Sequence, residues 1–189
     1  EDMRGYLKKI VDLDPVFTPY ERNYFMEAYT NATNKLRLAW LAARLRERDA
    51  TDDKIRRVIT DYRQKAQDEV QEICDEVLSL LNKIIPSYPS PEDAVCREED
   101  GTVVLSLNVS LDNKDALALE RSLYYKMRAD YSRYKAEVSM DESSAQLAQE
   151  AEDAYQEAME VSKKLERSNP AEKTAIDMIS MWLEQSRIE

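Results

Sequence analysis

The chain has no histidine, which removes at once the commonest general base, proton shuttle and zinc ligand. It has only two glycines, and neither Gly5 nor Gly101 belongs to a phosphate-cradling loop of the P-loop or dinucleotide type. Its two cysteines, Cys74 and Cys96, are too few for a secreted disulfide scaffold and lack metal-ligand spacing. Cys74 falls on an apolar helix stripe, where a buried free thiol in a reducing, cytoplasmic setting fits best. No run approaches the roughly 18 consecutive apolar residues of a membrane span, and the first residues carry no signal-peptide pattern. Carboxylates cluster, as in Glu98-Glu99-Asp100, but in so acidic a chain a cluster reads as solvated surface. The sequence therefore predicts no catalytic residues, no metal site and no cofactor: a protein that is not an enzyme.

What is present is charge and helix-forming pattern. With 43% hydrophobic and 34% charged residues and almost no glycine, the 189 residues read as helices joined by short connections, a single nearly all-α domain. A formal charge of −11 repels nucleic acid and anionic membrane surfaces, so neither is expected as a partner. Any anion site must be a local basic pocket.

Met3, Tyr6, Leu7, Ile10 and Val11 recur at helical steps and stop before Pro15. The stripe is already running at the first residue, as in a fragment or a chain with an upstream helix. Thr18-Pro19-Tyr20-Glu21 is a capped start with proline at the first helical position and Glu21 completing a capping box. The helix that follows carries Phe25, Ala28, Tyr29, Ala32, Leu36, Trp40 and Ala43 on its buried side and ends in the charged run Arg44 to Asp49. Asp52 and Asp53 favour the next start through the helix dipole. From there Ile55, Val58, Ile59, Tyr62, Ala66, Val70, Ile73, Val77, Leu80, Leu81 and Ile84 form one stripe as far as Pro86.

Between about 87 and 115 the period changes. Val103, Leu105, Leu107, Val109 and Leu111 alternate with Val104, Ser106, Asn108 and Ser110, and Asp100-Gly101 is a hairpin-turn signal. A β-hairpin-like insertion is expected, lying on the helical body or on another chain because a lone hairpin is marginal in water. Leu117, Leu123, Tyr124, Met127, Tyr131, Tyr134 and Val138 predict a fourth helix. A fifth starts near Ser143, and another capped start stands at Asn169-Pro170-Ala171-Glu172.

Two helix faces carry the candidate chemistry. Thr30, Asn34, Arg37 and Leu41 share one face, and Lys126, Asp130 and Arg133 share another, with Tyr134 beside Arg133. Opposed across a groove, they can bring two guanidiniums and a phenol to one phosphate, whose near-double charge and three acceptor oxygens suit forked arginine donors. The same residues also allow a purely structural reading, Arg133 paired with Asp130 or Glu137 and Arg37 with a neighbouring helix.

A set of linked motifs in order resembles the 14-3-3 proteins, dimeric all-helical adaptors that bind phosphoserine and phosphothreonine peptides. Tyr20-Glu21-Arg22-Asn23 and Ala28-Tyr29, with Arg37 and Trp40, are similar to that family's third helix. Asp61-Tyr62-Arg63, Ile73-Cys74-Asp75 and Val77-Leu78-Ser79-Leu80-Leu81 resemble its fourth. Tyr125-Lys126-Met127, Asp130-Tyr131, Arg133-Tyr134 and Ala136-Glu137 resemble its fifth, and Ala154-Tyr155-Gln156-Glu157-Ala158 with Ser162-Lys163-Lys164 its sixth. The resemblance implies antiparallel helical layers and a groove in which Arg37, Arg133 and Tyr134 hold the phosphate, with Lys126 behind them. It also implies departures. Thr30 stands where the family has its first pocket lysine, Leu41 where it has a further groove arginine, and the groove asparagines have no clear match after Pro170. Losing one charge-assisted donor costs about 1.5 to 3 kcal/mol if nothing replaces it.

The expected protein is thus a divergent, non-enzymatic 14-3-3-like adaptor that clamps phosphorylated client proteins, as a homodimer or as a heterodimer with a related chain. The alternative is a helical scaffold with weakened or lost phosphate dependence. By the resemblance, the helices that build the dimer interface precede Glu1 in part, residues are missing at both ends with a seam near Pro170, and Ser87 to Ser122 is longer than the family's loop there.

Overall fold

The computed structural model describes residues 3–88, 96–97, 103–104, 114–139 and 143–168. Five helices account for nearly all of them: α1 (Met3–Leu13), α2 (Pro19–Asp49), α3 (Asp53–Ser87), α4 (Lys114–Val138) and α5 (Ser143–Ser168). The helix expected after Pro170 lies outside the described residues, as do the Asp100-Gly101 turn and all of the strand expected from Val103 to Leu111 except Val103 and Val104. Within the insertion two short antiparallel segments are described, β1 (Cys96–Arg97) and β2 (Val103–Val104), with Cys96 opposite Val104 and Arg97 opposite Val103.

The helix boundaries follow from local chemistry. Thr18 N–H donates to Glu21 Oε2 at 2.8 Å and Glu21 N–H donates to Thr18 Oγ1 at 3.3 Å, so two orphan donors at the start of α2 are satisfied reciprocally. Asp52 accepts from the N–H groups of Lys54 at 2.7 Å and Ile55 at 3.1 Å and opens α3 in the same way. Pro86 falls inside α3, which continues to Ser87: a proline in the final turn forfeits one intrahelical bond without breaking the helix. α4 runs from Lys114, close to the end of the 87–115 stretch whose period departs from helix, and Ser122 is fully buried within it.

Contacts fix the packing directions. Glu47 near the end of α2 meets Thr60 and Arg63 near the start of α3, while Phe17, just before α2, meets Tyr88 just after α3. Gln71 and Asp75 of α3 reach Ser139 and Lys135 at the far end of α4, and Arg128 of α4 pairs with Glu157 of α5. Successive helices are therefore antiparallel, as short connections favour. One result is that α2 and α4 run the same way on either side of α3, joined by Arg22 to Glu120 at 2.7 Å and by Arg37 to Glu137 further along.

The core lies where these helices meet. Phe25, Tyr29 and Trp40 of α2, Val70, Cys74, Val77, Leu81 and Ile84 of α3, and Tyr124 and Tyr131 of α4 are all buried. Burial pushes the Cys74 thiol up to about 12, with Asp75 adding to the effect, so it stays a neutral apolar filler. The stripe read along α3 is buried only from Arg63 and Ala66 onward: Ile55, Val58 and Tyr62 are exposed. In α1, Leu7 and Val11 are buried while Met3 and Tyr6 face solvent.

Candidate functional site

Because α2 and α4 are parallel neighbours, side chains near the middle of α2 face those in the last turns of α4. There the guanidinium carbon of Arg37 lies 3.8 Å from the Tyr134 ring centroid, and that of Arg133 lies 4.8 Å from the same centroid. Two cations from two helices thus converge on one phenol, attracted by the ring face. Tyr134 in turn leans edge-on against the buried Tyr131, with ring centroids 5.4 Å apart. Burial holds the Tyr134 phenol above its ordinary value, helped by Asp130 and opposed by both arginines, so it remains a proton donor at neutral pH.

Each arginine is held by hydrogen bonds. Arg37 Nε donates to Glu137 Oε2 at 2.8 Å, its Nη2 donates to the same oxygen, and its Nη1 reaches Asn34 Oδ1 at 3.4 Å. Arg133 Nε donates to the Tyr155 hydroxyl at 3.1 Å, and that hydroxyl donates to Asp130 Oδ1 at 2.6 Å. Asp130 Oδ2 is paired with Lys126 Nζ at 2.6 Å. Lys126, Asp130, Tyr155 and Arg133 therefore form one chain that fixes the Arg133 fork. Burial works against the Arg133 charge, but the Tyr155 bond and the fields of Tyr155, Tyr134 and Asp130 outweigh it.

Thr30 is exposed on α2 and does not join the arginines. With Thr33 it lies by the hydroxyl of Tyr131, whose burial pushes that phenol well up, and neither threonine meets it in a well-aligned hydrogen bond. Beside Arg37 the surface opens into a cleft of about 310 Å³ lined by Asn34, Arg37, Leu38, Leu41 and Glu137.

Spacing allows Arg133 either Asp130 or Glu137 on its own helix and leaves Arg37 to a neighbouring helix. That neighbour is α4: Glu137 goes to Arg37 and not to Arg133, because α2 and α4 lie side by side, a relation that helical spacing alone does not contain. Tyr155 was legible only as a core position of α5; its hydroxyl belongs to the site because it reaches the polar face of α4.

A sequence model described as 14-3-3 protein matches residues 1–98 and 102–175. The chain belongs to the 14-3-3 protein family. It is 31% identical over 166 residues to 14-3-3 protein theta of Gallus gallus, covering 87% of this chain and 57% of that protein. The match to 14-3-3 protein theta of Homo sapiens has the same identity and coverage. Against 14-3-3 protein beta/alpha-A of Xenopus laevis the identity is 28% over 165 residues, 86% of this chain and 57% of the relative. This 14-3-3 chain thus spans 57% of the length of these relatives. The all-α layers and the family resemblance carried by the helix motifs agree with that membership. Among the described residues no helix is long and apolar enough to cross a membrane.

Proposed function

We propose that this 14-3-3 chain is a non-enzymatic, cytoplasmic adaptor that binds phosphoserine or phosphothreonine segments of client proteins. The observation that carries the reading is the convergence of Arg37 and Arg133 on Tyr134 from α2 and α4. Two guanidinium forks and a protonated phenol supply donors of the number and kind that a phosphate dianion accepts. Lys126 contributes through Asp130 and Tyr155 by orienting Arg133. Glu137 occupies the Arg37 fork until a ligand arrives, and a phosphate carrying nearly twice its charge displaces it. Thr30, which lies by Tyr131 and not among the arginines, brings no cation to the phosphate.

Dimer formation belongs to the same reading. Ile55, Val58 and Tyr62 share a solvent-exposed face at the start of α3, which a second copy or a related chain covers. Sedimentation of the full chain tests this, a monomer at micromolar concentration being the contrary result.

One feature favours a second reading, a helical scaffold without phosphate dependence: the chain already satisfies Arg37 internally through Glu137 and Asn34. Matched phosphorylated and unphosphorylated peptides, measured against the unaltered chain and an Arg37→Ala, Arg133→Ala variant, separate the two. The adaptor reading expects phosphate-dependent binding that falls at least about a hundredfold in the double variant. Equal binding of both peptides would establish the scaffold instead.

A further inference from the structure

The exposed large apolar side chains of α2 are not scattered. Leu38, Leu41 and Leu45, which are 67%, 42% and 47% exposed, stand at helical steps of three and four and therefore form one face. This face lies opposite the buried side of α2, which carries Tyr29, Trp40 and Ala43. It is not remote from the cationic centre: Leu38 and Leu41 line the same cleft of about 310 Å³ as Arg37 and Glu137. Solvent-exposed leucine continuous with a guanidinium is a surface of two chemistries within reach of one ligand.

We propose that these are two halves of a single site, and that its ligand is a phosphorylated segment with an apolar side chain close to the phosphoresidue. The inference rests on the phosphate reading of Arg37, Arg133 and Tyr134. Charge complementarity anchors the ligand at one end, because an anion drawn to Arg37 brings its neighbouring residues over Leu38 and Leu41. Helix geometry sets the reach. From Leu38 to Leu45 the face runs on the order of 10 Å along α2, which an extended peptide covers with about three residues. The apolar side chain therefore lies within three positions of the phosphoresidue.

The ligand chemistry also follows from what the wall lacks. A phosphate-only site here has two guanidiniums and no lysine at Thr30, so affinity beyond the phosphate must come from apolar burial on the leucines. An arginine or lysine lying over Leu38 and Leu41 would meet side chains that offer its charge no hydrogen-bond acceptor.

The experiment is a positional scan by fluorescence anisotropy with the full chain. A labelled phosphoserine peptide in an alanine and serine background carries Leu, Ala or Arg in turn at each of the three positions on either side. The same peptides without phosphate form the second arm, and a Leu38→Ser, Leu41→Arg variant the third. Both substitutions are at exposed positions, so the variant should keep the helical circular dichroism and melting temperature of the parent. At one or more positions leucine should bind about five- to tenfold more tightly than alanine and better than arginine. That preference should vanish in the leucine variant while phosphate dependence persists. Phosphate-dependent binding with no preference for leucine, or with one unchanged in the variant, would overturn the inference and leave the phosphate site intact. Binding that ignores phosphate, or no binding in any arm, would overturn the phosphate reading and this inference with it.

Discussion

The two ends of the α2–α3 hairpin carry similar sequence patterns and hold together by different means. At the end near Tyr88, the α3 residues Val77, Leu81 and Ile84 are fully buried against α2 and α4, and aromatic rings close the gap: Phe25 lies 5.0 Å from Tyr29 and Tyr88 lies 5.2 Å from Tyr124, centroid to centroid. At the other end Ile55, Val58 and Tyr62 continue the stripe but face solvent. There the helices are joined by Glu47, which accepts from Thr60 Oγ1 and from Arg63 Nε, each at 2.6 Å. Amphipathic pattern describes what a helix offers to a neighbour; whether a neighbour is present is decided elsewhere.

Perturbing each end should bring out this contrast. The largest effect is expected at the packed end, where Phe25→Ala removes a side chain that is 0% exposed. A loss of about 3 to 5 kcal/mol in urea unfolding is expected. Next comes Tyr88→Phe. The Tyr88 hydroxyl accepts from Phe17 N–H at 2.9 Å, donates to Phe17 C=O at 3.2 Å and lies 3.3 Å from the Tyr124 hydroxyl. Removing it strands a buried N–H, for a cost of about 1 to 3 kcal/mol, visible as a lowered melting temperature.

At the open end the expected penalties are smaller. Glu47→Ala deprives Arg63 of a carboxylate and should cost about 1 to 2 kcal/mol at neutral pH. Hydrogen bonds from Thr60 and then Arg63 hold the Glu47 carboxyl below its ordinary value of 4.5. A depressed folded value means that the stabilisation is present above the unfolded value and is lost as pH falls through the folded one. The gap in melting temperature between Glu47→Ala and the parent should therefore narrow below pH 4.5. A gap that stays constant into acid would mean that the carboxylate does not stabilise this end. The smallest effect belongs to Val58→Ser, within about 0.5 kcal/mol for the isolated chain. Its readout is association: dilution should dissociate the variant at a higher concentration than the parent, and equal midpoints would remove this face from the interface.

Much of the helical framework was legible in the residues. Thr18-Pro19-Tyr20-Glu21 and Asp52 announce helix starts through side chains that act within four residues, and such local bonds can be read from local sequence. The apolar step of Val70, Ile73, Val77, Leu81 and Ile84 was equally plain, because every one of them is buried. The exposure of Ile55, Val58 and Tyr62 was not, since a stripe has the same period whether or not another helix covers it. In the candidate site, Arg37, Arg133 and Tyr134 could be named from their faces and from the family motifs. The partners that hold them could not: Glu137 crosses from α4 to Arg37, and Tyr155 reaches over from α5.

By itself the sequence determined the all-α class, the main helix starts, the dominant buried stripes and, through its ordered motifs, the 14-3-3 family. These depend on interactions between residues a few positions apart, or on motif order, and both survive in one dimension. Only the tertiary structure decided that α2 and α4 run parallel, that Glu137 closes on the fork of Arg37 and not of Arg133, and that Glu137 of α4 lines one cleft with Arg37, Leu38 and Leu41 of α2. Those relations span about 100 residues of chain, as between Arg37 and Glu137. They are set by which helix faces bury one another in α3's company, a choice that no single segment makes alone.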